Sequence, residues 1–111
     1  MSVKIVALIK ANPAISAEDF HRHWHIEHPR YVWALPDLQR YIQNPAIEHH
    51  TTWPYDGMAE LYFPTVAAVA RAFASPAADA VREHEEHFVG ELTWFLASES
   101  EIAPVAQTEP A

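Results

Sequence analysis

The chain has 111 residues, half of them apolar, with a formal charge of −8, no cysteine and two glycines. That length suits one domain with one modest core, and the apolar half excludes disorder of the body of the chain. The acidic charge argues against nucleic acid or an anionic membrane surface; the missing cysteines exclude disulfides and thiolate sites, and so few glycines exclude Gly-rich phosphate loops.

Val3 to Ile9 is apolar and β-branched, with Lys4 and Lys10 at its ends, and reads as a strand apolar on both faces. No charged-then-apolar leader precedes it, and no apolar run approaches the roughly 20 residues of a membrane span. A cytoplasmic protein without a membrane partner is expected. Asn12-Pro13 makes a turn, and Ser16 is a good N-cap with Asp19 three positions on. Ala17, Phe20, Trp24, His28, Tyr31 and Leu35 then recur at steps of three and four, one stripe of a helix. Pro29 lacks an N–H and its ring clashes with the carbonyl of His25, so a kink or break is expected at His28.

Leu35 to Asp37 is a turn, and Leu38 to Asn44 alternates as a half-polar strand. Ala46 to Tyr55 is a loop, and Asp56-Gly57 leads into a third strand, Met58 to Phe63. Thr65 caps a short helix to about Ala74; Ser75 caps another, with Pro76 in its first turn, to about Phe88. Thr93 to Ile102 is the fourth strand, which sets a domain of residues 1–102. Ala103 to Ala111, with two prolines and little bulk, is expected to be a mobile tail. The order β-α-β-β-α-β is the ferredoxin-like α+β plan, with helices on one face of the sheet only. Because strand one is apolar on both faces, the other face also needs cover, and a second copy of the chain supplies it most simply.

The densest chemistry lies at Asp19 to Pro29 (DFHRHWHIEHP), which holds four of the eight histidines. Histidine gives and takes protons near neutral pH with little tuning, so acid–base chemistry or a metal is indicated. His21 and His25 share a helix face, as do His84 and His87, but there is no HExxH and no third ligand placed by spacing. The run Arg82 to His87 (REHEEH) reads as a solvated helix face. No metal and no cofactor is expected; were a metal bound, His21, His25 and His28 would be its ligands.

Phe20, Trp24 and His28 (F-x-x-x-W-x-x-x-H), the stretch Leu35 to Asn44 (LPDLQRYIQN) and Asp56 to Phe63 (DGMAELYF) resemble the EthD family, within the dimeric α+β barrel proteins. The family usually has one residue between the His and the Pro, which are adjacent here. The resemblance implies a homodimer whose sheets pair as a dimeric α+β barrel, and a pocket lined by His28. It also implies relatives such as muconolactone-type isomerases, polyketide cyclases and proteins of ether degradation. The segment from Glu83 to Leu92 is similar to the methylmuconolactone methylisomerases.

His28 alone has two readings, a core histidine bonded to a carbonyl or a pocket acid–base, and the resemblance favours the second. His49 and His50 are open to two readings: one of them the partner of His28, as in lactone isomerases, or a solvated loop. Glu60 in a central strand either orients a histidine, acts as a base with a raised pKa, or pairs with Arg40 across the sheet. Trp24, Tyr31, Tyr41, Tyr62 and Phe20 are candidates to hold a planar ring, and the pocket is expected between the first helix and the sheet. The function expected is cofactor-independent acid–base catalysis (isomerase, cyclase or lyase/decarboxylase) on a small cyclic, aromatic or polyketide-like carbonyl compound. A monooxygenase of the dimeric α+β barrel type and a non-catalytic binding protein of a degradation pathway are the alternatives.

Overall fold

The computed structural model describes residues 2–106. Strand β1 is Val3–Ala11, β2 Arg40–Pro45, β3 Gly57–Phe63 and β4 Val89–Ala97. They form one antiparallel sheet in the order β2-β3-β1-β4. Helices α1 (Ala17–His21) and α2 (His28–Val32) flank a π-helical segment, Arg22–Glu27, and α3 (Val66–Phe73) and α4 (Pro76–Glu85) follow β3. The α+β, ferredoxin-like reading therefore stands. Among the described residues no helix is long and apolar enough to cross a membrane.

The period-two alternation of β1 decides what each face does. Ile5, Ala7 and Ile9 point into the core with Ala59, Leu61 and Phe63 of β3, under Phe20, Trp24, Val32, Val69, Val81 and Phe88 from the helices. Val6 faces the other way, level with Glu60 of β3 and Phe95 of β4. That face has no helix over it, and Phe95 is 51% exposed.

The helix does not break at His28. Instead it widens: the His28 N–H bonds the His23 carbonyl, five residues back, and His28 itself keeps helical angles. Pro29 then falls in the first turn of α2, where a missing N–H costs nothing. The widening also resets the buried stripe, which runs Phe20, Trp24, His28, Val32 and Leu35. Steps of four drift by about 40° each on a pure α-helix, and the wider turn absorbs the drift. Tyr31, expected on that stripe, is exposed.

β4 starts and ends earlier than the expected Thr93 to Ile102. Its pairing with β1 runs from Val89 opposite Ala11 to Ala97 opposite Lys4, so it stops where β1 has almost no residues left to pair. A register shift at Lys10/Ala11 opens the pairing, and a Cβ at Gly90 would press on the Ala11 backbone. α4 ends at Glu85 rather than near Phe88, and Ser75 makes no side-chain cap; its hydroxyl donates to the Ala72 carbonyl. Thr65 does cap α3, accepting from the Ala68 N–H. Of the expected tail, 103–106 have no regular structure and 107–111 lie outside the described residues.

Candidate active site

α3 and α4 leave the β4 edge of the sheet uncovered, and the gap is a cavity of about 420 Å³. Its walls are Ile5 of β1, Leu92, Trp94 and Leu96 of β4, and Val66, Val69 and Phe73 of α3, with Arg82 and Glu85 of α4 as the charged groups. The Arg82 guanidinium donates to the Phe73 carbonyl at 2.8 Å, tying α4 to the end of α3. Glu85 belongs to the inner stripe Ala78, Val81, Glu85, Phe88 at helical steps of three and four. About a quarter of its side-chain surface (26%) is open.

Burial pushes the Glu85 carboxyl up to about 7, against a smaller pull downward from Arg82. Its Oε2 lies 3.9 Å from Nε2 of His28, a neighbour too far for a hydrogen bond in this arrangement. His28 is 4% exposed; burial first, and then neighbouring His84, push its pKa down to about 3, so it is neutral at pH 7. The other ring nitrogen of His28, Nδ1, is 2.8 Å from Nδ1 of His84, and one of the two must carry the shared proton. Glu85, His28 and His84 thus form a proton-bearing row that starts at the cavity wall. Tyr41 stands near it, its pKa raised to about 12 by burial first and by the Glu85 charge, while the hydrogen bond from Gln43 acts the other way.

Of the sequence candidates, His28 belongs to this row, and Tyr41 and Tyr31 stand beside it. Phe20 and Trp24 are core: their rings are 5.5 Å apart, and Trp24 is 2% exposed. The pocket expected between the first helix and the sheet is filled by those rings, so the large cavity lies at β4 instead. Tyr31 stacks on His84 at 4.7 Å and lines a smaller cleft of about 170 Å³ with His84 and His87.

Glu60 and Tyr62 are on the opposite face of the sheet from the helices. Glu60 accepts from Lys4 at 2.6 Å, not from Arg40, and from Asn44 at 3.0 Å. Lys4 holds its carboxyl below the usual range rather than above it. Tyr62 donates to Glu99, and the Arg40 guanidinium lies over its ring at 5.1 Å. His49 and His50 lie with their rings tilted and 4.0 Å apart in an exposed loop, where His49 accepts from the Thr51 N–H. His21 and His25 stack at 4.9 Å on the exposed side of the helix, away from buried His28.

An antiparallel sheet with helices on one face and an apolar cavity under its last strand defines a ferredoxin-like α+β protein. The chain belongs to the EthD family, whose EthD domain model matches residues 12–91. Among curated proteins none matches the chain. An EthD family protein from Bacillus halodurans is 20% identical with a TM-score of 0.77, over 90% of this chain and 100% of that one. A dimeric ferredoxin-like protein of unknown function from Thermobifida fusca is 13% identical with a TM-score of 0.72, over 89% and 92%. SnoaB, a cofactor-independent oxygenase from Streptomyces nogalater, is 12% identical with a TM-score of 0.67, over 94% and 98%. At these identities the likeness concerns the fold.

Proposed function

We propose that the protein is a cofactor-independent enzyme that moves a proton beside a carbonyl group, on a small ring-containing compound held in the β4 cavity. The observation that carries this reading is the position of Glu85, the carboxyl in the wall of an otherwise largely apolar cavity. A carboxyl with a pKa of about 7 is both acid and base at neutral pH, the condition under which proton transfer is most effective. The apolar walls and Trp94 suit a planar substrate, and Arg82 is placed to face an enolate or carboxylate on it. His28 stands behind Glu85 as its proton partner. Catalytic partners often stand too far apart for a hydrogen bond before substrate arrives, and the 3.9 Å gap is to close in the bound state.

Isomerisation, cyclisation and decarboxylation share such a proton transfer. A carbanion next to a carbonyl is also what an oxygenase without a cofactor must generate. The fold likeness to SnoaB keeps oxygenation as a second reading. The test is solvent deuterium uptake, read by mass spectrometry, into a panel of ring-containing lactones and 1,3-diketones. Wild-type protein should catalyse exchange, and Glu85→Gln should lose at least about 10²-fold. Exchange that survives Glu85→Gln would sink the proposal, and oxygen consumption in the same assay would select the second reading.

A homodimer, paired through the helix-free face of the sheet, is part of this proposal. Val6 and Phe95 lie level with each other on that face, and Phe95 is half exposed. The Thermobifida fusca relative is described as dimeric. A cytoplasmic location also belongs to it, in keeping with a chain that has no cysteine.

A further inference from the structure

Two buried imidazole nitrogens have no hydrogen-bond partner among the described residues: Nδ1 of His23 and Nε2 of His84. Burying such an orphan is unfavourable, and both belong to one group. One ligand-type atom from each of His23, Glu27 and His84 lies within 4.8 Å of the other two. His23 Nδ1 is 3.6 Å from Glu27 Oε2 across one turn of the π-helical segment. His84, 7% exposed, reaches them from α4. Its Nδ1 is taken up by His28, which leaves Nε2 for the group.

We infer that His23, Glu27 and His84 form a binding site for one divalent first-row transition ion, of which zinc is the type. Two imidazoles and a carboxylate are a donor set that such ions take, whereas magnesium and calcium prefer oxygen alone. Bonds of about 2.1 Å in a tetrahedron put ligand atoms roughly 3.4 Å apart. The spacing from His23 Nδ1 to Glu27 Oε2 is nearly there, and a movement of His84 of up to about 1.4 Å closes the 4.8 Å group to that triangle. Arg22 donates to Glu27 Oε2 at 2.7 Å, so the ion takes the other carboxylate oxygen or displaces the guanidinium. The cleft lined by Tyr31, His84 and His87 gives the ion a way in. An ion on Nε2 of His84 leaves the proton on its Nδ1, donated to Nδ1 of His28. That braces the ligand and fixes the proton of His28 on the nitrogen facing Glu85. The site stands or falls independently of the β4 cavity, because its readout is bound metal rather than turnover.

The test uses the full, untagged chain after chelator treatment, titrated with zinc chloride by calorimetry and with cobalt chloride by visible absorption. One zinc per chain with micromolar or tighter affinity is expected, with cobalt bands of a four- or five-coordinate ion. His23→Gln, Glu27→Gln and His84→Gln should each weaken binding at least about tenfold, while His49→Gln and His50→Gln leave it unchanged. Should His84→Gln unfold, the half-buried Glu27→Gln still decides. No saturable binding would overturn the inference. So would binding that survives His23→Gln and Glu27→Gln but is lost on changing His49 and His50, an adventitious ion only.

Discussion

Glu85 and His28 bias stability with pH in opposite directions. The Glu85 carboxyl rises from 4.5 to about 7 on folding. Between those values the unfolded chain has lost the proton and the folded one keeps it, so stability falls as pH rises. His28 drops from 6.5 to about 3. Between those values the unfolded chain binds the proton and the folded one does not, so stability is lost as pH falls. The two slopes oppose each other from about pH 4.5 to 6.5, each with a ceiling of about 1.4 kcal/mol per pH unit. In chelator-treated protein, Glu85→Gln should therefore lose urea stability more steeply than wild type on acidification, and His28→Gln less steeply. Parallel curves for all three would show that burial does not tune these groups. His28 was legible in the sequence because it shares the apolar stripe of Phe20 and Trp24. Glu85 was not, because charge dominates the run from Arg82 to His87 (REHEEH). The signal was present in the steps from Ala78 and Val81 to Glu85 and Phe88, which place one carboxyl on a buried stripe.

At the scale of elements, the first helix shows how one proline is absorbed. A proline inside a helix signals a break, since sequence rules describe pure α-geometry. Here the π-helical turn moves the proline into the start of a new α segment. The same widening leaves the Trp24 carbonyl to accept from Gln43 of β2 at 2.7 Å, while His25 bonds the other end of that amide at 2.9 Å. Trp24 is further pinned against Gly57 at the start of β3, where a Cβ would collide with the indole. Gly57→Ala should cost about 1–3 kcal/mol through overpacking, read as a lower urea midpoint with Trp fluorescence changing in step. An unchanged midpoint would mean that the indole has room to move. Strand ends were less legible than strand existence: β4 ends where β1 runs out of pairing residues, a tertiary fact that local pattern does not carry.

For the whole molecule, alternation within strands carried most of the fold. Ile5, Ala7 and Ile9 against Val6 and Leu8 announced two apolar faces, and the structure covers only the first with helices. The large cavity opens away from the first helix for a related reason. Phe20 and Trp24 pack tightly enough to fill the space under the first helix, while the shorter α3 and α4 leave Leu92, Trp94 and Leu96 bare. In solution the chain should scatter light as a dimer at micromolar concentration. Phe95→Asp should weaken the association at least about tenfold, since a charge replaces a half-exposed ring on the helix-free face proposed to pair, while circular dichroism stays native. A monomer mass for wild type would remove the paired barrel.

Burial holds the Glu85 carboxyl near neutrality in the wall of a largely apolar cavity. Carbon-13 NMR of side-chain carboxyls across pH 3 to 9, in chelator-treated protein and with Glu85→Gln for assignment, measures this directly. One glutamate resonance titrating at about 7 and missing from Glu85→Gln is expected. If every glutamate titrates at or below about 5, within the ordinary carboxylate range, Glu85 is a solvated surface charge and the proposed proton transfer loses its acid–base.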